Sequence, residues 1–571
     1  MEAQTQHPVW KLWLNPILRR YCRSRLRPRA IGMVLLIDIL IAGFLVAMAT
    51  SIGGQIDFDL ADKARTAVVP LLIFQGIILF ALGTTQASGG MIAERDEGVI
   101  DYQRLAPMTP LAKTLGYLFG LPIREYVMFV GTLPFSIWAI WAGEVPLHIW
   151  VPLYVVLMSS AVLYHLTGLV TGTVVRNRRI GFLFSIGVVF CLYTIIPQAA
   201  KFGLVFFDYL TIRPVVKESA AGIAPEDIGH AIQLAQSIAP RAKFFNLNFS
   251  EMIFTLFTQA GLMLTFLVML CRKWRSDERH LLNKVWAGSL FIWIQILLLG
   301  NALPLIKPGL LFPSRGASSF VQLKQFLWSP RIEEALAMSA LFGLVILVLI
   351  LLLTLIITPS IDRQKKARRH ACKHGIHQLP VTSDPASSWF FVFAMAMIGG
   401  LSWFIFSRSL FDSHWFNKSV SWTVAVHFVG VLLAGSLLFQ TLLEGKGGRS
   451  LALTGIFVGI VPLMIGAVIA TVSGGFSQLA IWTFAMSPLC MPAYASISLL
   501  PIEPSETASR EFASIQAAFH IWLILGVVSV AYLSLRLRKH HRTLAQRTAE
   551  STAEINPSPD VEAPSEASAP Q

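Results

Sequence analysis

Long apolar stretches recur from one end of this chain to the other, and that recurrence limits its fold more than any other feature. A helix needs about 20 mostly apolar residues to cross roughly 30 Å of hydrocarbon. Windows of that length fall near 31–52, 67–88, 115–141, 149–172, 180–200 and 251–271, and again near 285–305, 336–358, 388–407, 421–443, 451–473 and 516–536. Twelve spans are therefore expected. Composition agrees, since only 14% of the 571 residues are charged, against about 25% in an ordinary soluble chain. Disorder, collagen and a disulfide-rich secreted scaffold are excluded, and a soluble enzyme of this size is argued against. The five scattered cysteines offer neither a disulfide framework nor a zinc spacing. The expected class is an all-α polytopic membrane protein.

Charge sets the orientation. With twelve spans, the regions 1–30, 89–114, 173–179, 272–284, 359–387, 444–450 and 536–571 share one side and hold 31 Lys and Arg, against 14 on the other. Such an excess marks the cytoplasmic side. Both termini, Arg95 and Arg369 are expected there, with 201–250 and 474–515 outside. The apolar segment 477–500 is broken by Pro488 and Pro492 and reads as re-entrant or interfacial. This topology accounts for the net charge of +14. Nucleic-acid binding would need a basic, aromatic-studded folded domain that the chain has no room for.

The spans divide six and six around RKWRSDERHLLNK at 272–284. Each half, 31–271 and 285–538, repeats one rhythm: two spans, a long cytoplasmic connection (89–114; 359–387), two spans, a short basic turn, a fifth span, a long outer segment and a sixth span. A structural duplication is common transporter architecture. Residues 9–29 mix Trp, Leu and Ile with six arginines and a lysine. They fit an amphipathic helix lying in the interface, its arginines reaching anionic lipid headgroups. The tail 539–571 is Pro-, Ser-, Ala- and Glu-rich from about residue 545 and is expected to be disordered.

The most informative stretch is GGMIAERDEGVIDYQRLAPMTPLAKTLGY at 89–117. Ile92, Val99, Ile100 and Leu105 supply an intermittent apolar face. Glu94, Arg95, Asp96 and Glu97 form a charged turn, acidic where a helix dipole favours it. A helix over about 91–105 should lie along the membrane surface and turn into the next span near Pro107 and Pro110. The pattern Glu94, Arg95, Gly98, Leu105, Pro107 and Thr109–Pro110, followed by Gly116, resembles the transmembrane subunits of type-2 ATP-binding-cassette exporters. The segment before the first span and the six-span layout are similar to that family as well. The resemblance implies a coupling helix that docks into a cytoplasmic ATPase subunit, with Glu94, Arg95, Asp96, Glu97, Gly98, Leu105 and Pro107 as coupling residues. Glu94 and Arg95 would then face the partner. The loop 362–380 of the second half lacks the Glu-Arg-Gly pattern, so there the resemblance is one of layout.

The chain carries no G-x-x-x-x-G-K-[ST] motif, so nothing can cradle phosphates in the P-loop manner. ATP hydrolysis is expected on a separate subunit, with no enzyme activity and no cofactor on this chain. The alternative is an ion-coupled secondary carrier of the major-facilitator type, whose glycine–acid–arginine–glycine loop the same stretch resembles more distantly. That loop wants basic residues after its last glycine, where Val99, Ile100 and Asp101 stand here. A bacterial inner membrane is the expected location.

Ionisable residues inside spans are costly and default to a functional hypothesis. Asp38 and Arg124 fall in the cytoplasmic halves of spans one and three, where a structural ion pair is the leading reading and substrate passage the alternative. Glu125 points about 100° away around the helix and is not expected to join them. His165, His427 and His520, one each in spans four, ten and twelve, are expected to bond neighbouring helices. Gly168 and Gly172 are spaced for close helix packing.

Overall fold

The computed structural model describes residues 12–55, 58–175, 177–226, 228–230, 232, 243–306, 331–373, 379–446, 455–473, 477–499 and 506–555. Helices dominate, and the described strands are one two-residue hairpin, Lys243–Phe244 with Leu247–Asn248. Among the described residues ten helices are long and apolar enough to cross a membrane. The chain is an all-α polytopic membrane protein.

Two of the twelve expected spans fall short of that length. The run expected at 180–200 is helical over Arg178–Thr194, 17 residues, and Pro197 opens a separate short helix, Ile196–Lys201. The run expected at 451–473 contributes a π-helical turn, Ile456–Ile460, and the helix Val461–Val472; its first residues, 451–454, lie outside the described set. Residues 477–500 break at Pro488, as their prolines require, into Gln478–Ala485 and Met491–Ser498. Eight residues rise about 12 Å, far short of the hydrocarbon. The last helix, Glu506–Ile555, runs on through residues 545–555, where disorder is expected from composition. In the local sequence AQRTAESTAEI, seven of eleven residues are Ala, Glu, Gln or Arg, all good helix formers. The remaining tail, 556–571, lies outside the described residues.

The chain forms two compact units: residues 1–282, 293–338 and 408–418, and residues 283–292, 339–407 and 419–571. In the first, α1 (Pro16–Arg25) starts at Asn15, whose Oδ1 accepts from the Ile17 amide at 3.0 Å, with Pro16 at the first helical position. Its apolar face (Ile17, Leu18, Tyr21) is buried and packs on protein, not on lipid as its amphipathicity alone suggests. The receiving surface is α5 (Pro110–Gly120). A Cβ on Gly116 would stand 2.8 Å from Asn15 Oδ1, and one on Gly120 would stand 2.6 Å from the Tyr21 ring. Those two glycines seat α1.

Between them come α2 (Pro28–Gln55), the long run α3 (Leu60–Asp96) and the short α4 (Val99–Leu105). After α5 follow α6 (Ile123–Ala142), α7 (Leu147–Val174), α8 (Arg178–Thr194) and α9 (Glu251–Arg275). The expected close packing at Gly168 and Gly172 is present. Cβ atoms there would lie 2.6 Å from the Thr84 carbonyl and 2.6 Å from Met91 Cβ, so α7 and α3 touch backbone to backbone. Within α3, Ile77–Gly83 is a π-helical stretch. Such a turn frees carbonyls from the ordinary ladder. One, at Leu79, is 2.8 Å from His165 Nε2, and His165 Nδ1 is 2.8 Å from the Tyr126 hydroxyl. A carbonyl only accepts, so Nε2 carries the proton and Nδ1 accepts from Tyr126. His165 bonds between helices as expected.

In the second unit, His427 and His520 lie against each other, ring centroids 4.5 Å apart, and their Nδ1 atoms bond within their own helices to Thr423 and Gln516 carbonyls. The two are not separate, and among the described residues neither forms an interhelical hydrogen bond. This unit also holds α10 (Lys284–Ile306), from its first turn to Ile292, and α11 (Trp422–Lys446).

Candidate functional site

Helix α3 does not continue through residues 91–105 as one rod. It stops at Asp96, Gly98 takes a left-handed conformation (φ 72°), and α4 restarts at Val99. Glycine adopts that conformation at no steric cost. The break divides the motif into an inward-facing part and an outward-facing part.

Glu94 is inward. Its Oε1 accepts from Arg20 Nη2 at 2.6 Å and from the Tyr21 hydroxyl at 2.8 Å, and its Oε2 accepts from the Tyr117 hydroxyl at 3.1 Å. One carboxylate thus ties α1, α3 and α5 together. The rings around it close the site: Tyr21 meets Tyr117 edge-on at 5.8 Å, and Tyr117 stacks on Trp274 of α9 at 5.3 Å. The Arg20 guanidinium lies over the Tyr21 ring, 4.8 Å from its centroid. Burial by itself would lower the affinity of Arg20 for its proton, but the Glu94 hydrogen bond and nearby charges raise it above the ordinary value. Burial, with Tyr117 and Glu94 close by, pushes the Tyr21 phenol well up, so it remains a donor.

Arg95 is inward as well. Its Nη1 donates to the Gly172 and Thr173 carbonyls at 3.2 and 3.4 Å, and its Nη2 to the Val175 carbonyl at 2.7 Å. These are carbonyls at the C-terminus of α7, which have no intrahelical partner of their own and carry the negative end of the dipole. Glu94 and Arg95 are expected to face a partner; both turn their side chains toward the bundle, Glu94 between two phenols and a guanidinium, Arg95 on the open carbonyls of α7.

The outward part is Asp96, Glu97, Gly98, Asp101, Tyr102, Leu105 and Pro107, all exposed. Tyr102 is 75% and Leu105 84% exposed. Leu105 thus leaves the apolar face assigned to it, which keeps only Ile92 and Ile100 buried; the Gly98 break rotates α4 away from the helix pattern that linked them. Arg104 fixes α4 by bonds to Asp101 Oδ1 at 2.5 Å and Asp277 Oδ1 at 3.0 Å. Thr109 caps α5 by accepting from the Ala112 amide at 3.2 Å.

The intramembrane set rearranges too. Arg124 pairs with its neighbour Glu125, Nη2 to Oε1 at 3.0 Å and Nε to Oε1 at 3.2 Å, and not with Asp38. Adjacent positions diverge on a helix, but the long arginine side chain folds back across the gap. Asp38 is 1% exposed, and neither carboxylate oxygen has a hydrogen-bond partner among the described residues. It presses on α6 where Gly131 makes room; a Cβ there would stand 3.1 Å from Oδ2.

No protein family model matches this chain, and no curated protein and no solved structure is similar to it.

Sequence reasoning missed Arg20, Tyr21 and Tyr117 as partners of Glu94, and Trp274 as the ring stacked on Tyr117. The available signal was the pair Gly116 and Gly120, four apart on one face of α5, which marks the groove where α1 settles.

Proposed function

We propose that the chain is the membrane-spanning permease subunit of an ATP-driven exporter, coupled to a separate ATPase subunit through the outward face of 96–105. The observation that carries this reading is the sorting of the motif. Glu94 and Arg95 anchor the base of the loop, while Asp96, Glu97, Asp101, Tyr102 and Leu105 stand in solvent around the Gly98 break. A large aromatic and a leucine, exposed among carboxylates on a firmly held loop, suit a partner interface with apolar anchors and a polar rim. Force on α4 would pass through the Gly98 break into α3, and through Glu94 into α1 and α5.

The test is purification of the full chain from its native membrane in mild detergent, followed by identification of bound proteins. An ATP-binding-cassette ATPase should co-purify. Tyr102→Ala with Leu105→Ala should reduce its retention about tenfold or more without loss of folded protein. Wild-type retention in that variant, or the absence of any ATPase, overturns the reading.

Asp38 favours a second reading, the ion-coupled carrier. A buried carboxylate without a partner among the described residues fits a site that takes up and releases a proton or cation during transport. In that case uptake driven by an imposed ion gradient would be lost in Asp38→Asn and untouched in the 102/105 variant.

A further inference from the structure

Helix α1 carries an arginine-lined hollow that the Glu94 network leaves open. Pro16, Arg19, Arg20, Arg23 and Ser24 line a wide, open surface hollow of about 480 Å³ on its outer side. Arg19 and Arg23 are exposed. Arg19 is oriented by a bond from Nε to the Trp13 carbonyl at 2.9 Å and lines the hollow together with Arg23. Arg20 is shared, since its Nη2 already holds Glu94. With Arg20 paired to Glu94, Arg19 and Arg23 stand about one turn apart as two like charges that an anion between them would neutralise.

The depth of the hollow is set by its neighbours. Helix α2 begins at Pro28, three residues after α1 ends, and immediately presents apolar side chains outward: Met33, Leu36, Ile37 and Leu40 are all more than half exposed. These side chains face lipid. On the other flank, Trp13 is 77% exposed just before α1, and exposed tryptophan marks the interfacial belt. The hollow therefore sits level with lipid headgroups. A hydrocarbon span below it and a belt residue beside it select a phosphate attached to a lipid over one free in solution.

We infer that this hollow is a binding site for the phosphate of an anionic phospholipid, with Arg19 and Arg23 as its dedicated ligands and Arg20 linking it to Glu94. The bound phosphate neutralises the cluster. It also stands one guanidinium away from the carboxylate that ties α1, α3 and α5 together. The site does not depend on the exporter reading.

The experiment uses the full-length protein in nanodiscs of phosphatidylcholine with increasing phosphatidylglycerol. Phosphatidylglycerol should raise the melting temperature of the wild type and remain bound in native mass spectra. Arg19→Gln with Arg23→Gln should melt like the wild type in pure phosphatidylcholine and bind phosphatidylglycerol about thirtyfold more weakly. Equal binding by the variant overturns the inference. Inorganic phosphate in pure phosphatidylcholine should not reproduce the stabilisation; if it does, the site is a soluble-anion site and the lipid assignment fails. Should the double variant fold poorly, arginine-selective modification of the wild type decides. Arg19 and Arg23 should be protected by phosphatidylglycerol and not by phosphatidylcholine, and equal modification in both lipids overturns the proposal.

Discussion

Glu94, part-buried in the first unit, and Lys284, buried in the second, are both charges that tie segments of the chain together, and they do it by opposite means. Glu94 gathers three side-chain donors, Arg20, Tyr21 and Tyr117. Lys284, 1% exposed at the start of α10, gives its ammonium to main-chain carbonyls: Ser383 at 2.7 Å, Ala386 at 2.6 Å, and Val381 and Ser387 at 3.3 Å. Next to it Glu444 of α11 accepts from Ser387 Oγ at 3.0 Å and from Gln440 Nε2 at 3.1 Å. The first cluster can be dismantled one partner at a time, because Glu94 keeps two donors when one is lost and Arg20 stays part-exposed to water. The second cannot: carbonyls converging on one cation have no substitute for it.

The comparison predicts a ranking. Lys284→Met should be the most damaging change, by about 3–5 kcal/mol, the range for stripping one member from a buried charged cluster. Thermal unfolding in detergent would measure it, and a loss smaller than that for Glu94→Gln would break the contrast. Glu94→Gln should cost about 2 kcal/mol, since it trades charge-assisted bonds for neutral ones. Because Tyr117 donates to Glu94, adding Tyr117→Phe to Glu94→Gln should cost less than Tyr117→Phe costs alone, and strictly additive losses would show that the two do not interact. Gly120→Ala comes next, at about 1–2 kcal/mol, because its Cβ meets the Tyr21 ring and must shift α1. Protease access to the 26–27 linker would report that shift, and an unchanged cleavage rate would mean that α1 is held elsewhere. Smallest is Tyr102→Ala with Leu105→Ala, within about 0.5 kcal/mol in stability. A larger loss would show that α4 is packed, contrary to its exposure.

The two clusters were not equally legible. Glu94 and Arg95 could be picked out because charged residues in an apolar chain attract notice, but their direction could not be read. A sequence pattern places residues on a helix and does not reveal that Gly98 ends it, nor that open carbonyls at Val175 await Arg95. Lys284 was assigned to a linker at 272–284, as the last basic residue before a span. Its partners are main-chain atoms, which have no side-chain signature. The apolar spans were legible wherever hydrophobicity persisted for a full crossing and failed where length was marginal, at Arg178–Thr194 and Val461–Val472. The Asp38–Arg124 pairing failed for a geometric reason: position in a span gives depth along the helix but not the azimuth toward a neighbour. Arg124 found a carboxylate at the next residue.

The widened turn at Ile77–Gly83 also bears on which changes in chain length α3 can survive. Such a turn is an extra residue absorbed into a helix without rotating what lies beyond it. Removing one residue between 77 and 83 would return the stretch to an ordinary ladder and leave Glu94 aimed at Tyr117, at the cost of the Leu79 carbonyl that His165 uses. Removing one anywhere from 84 to 93 would swing Glu94 and Arg95 about 100° around the axis and empty both their sites at once. Natural insertions and deletions in this helix should therefore gather in those seven residues, where α3 keeps its slack within the spanning run, ahead of the anchored loop.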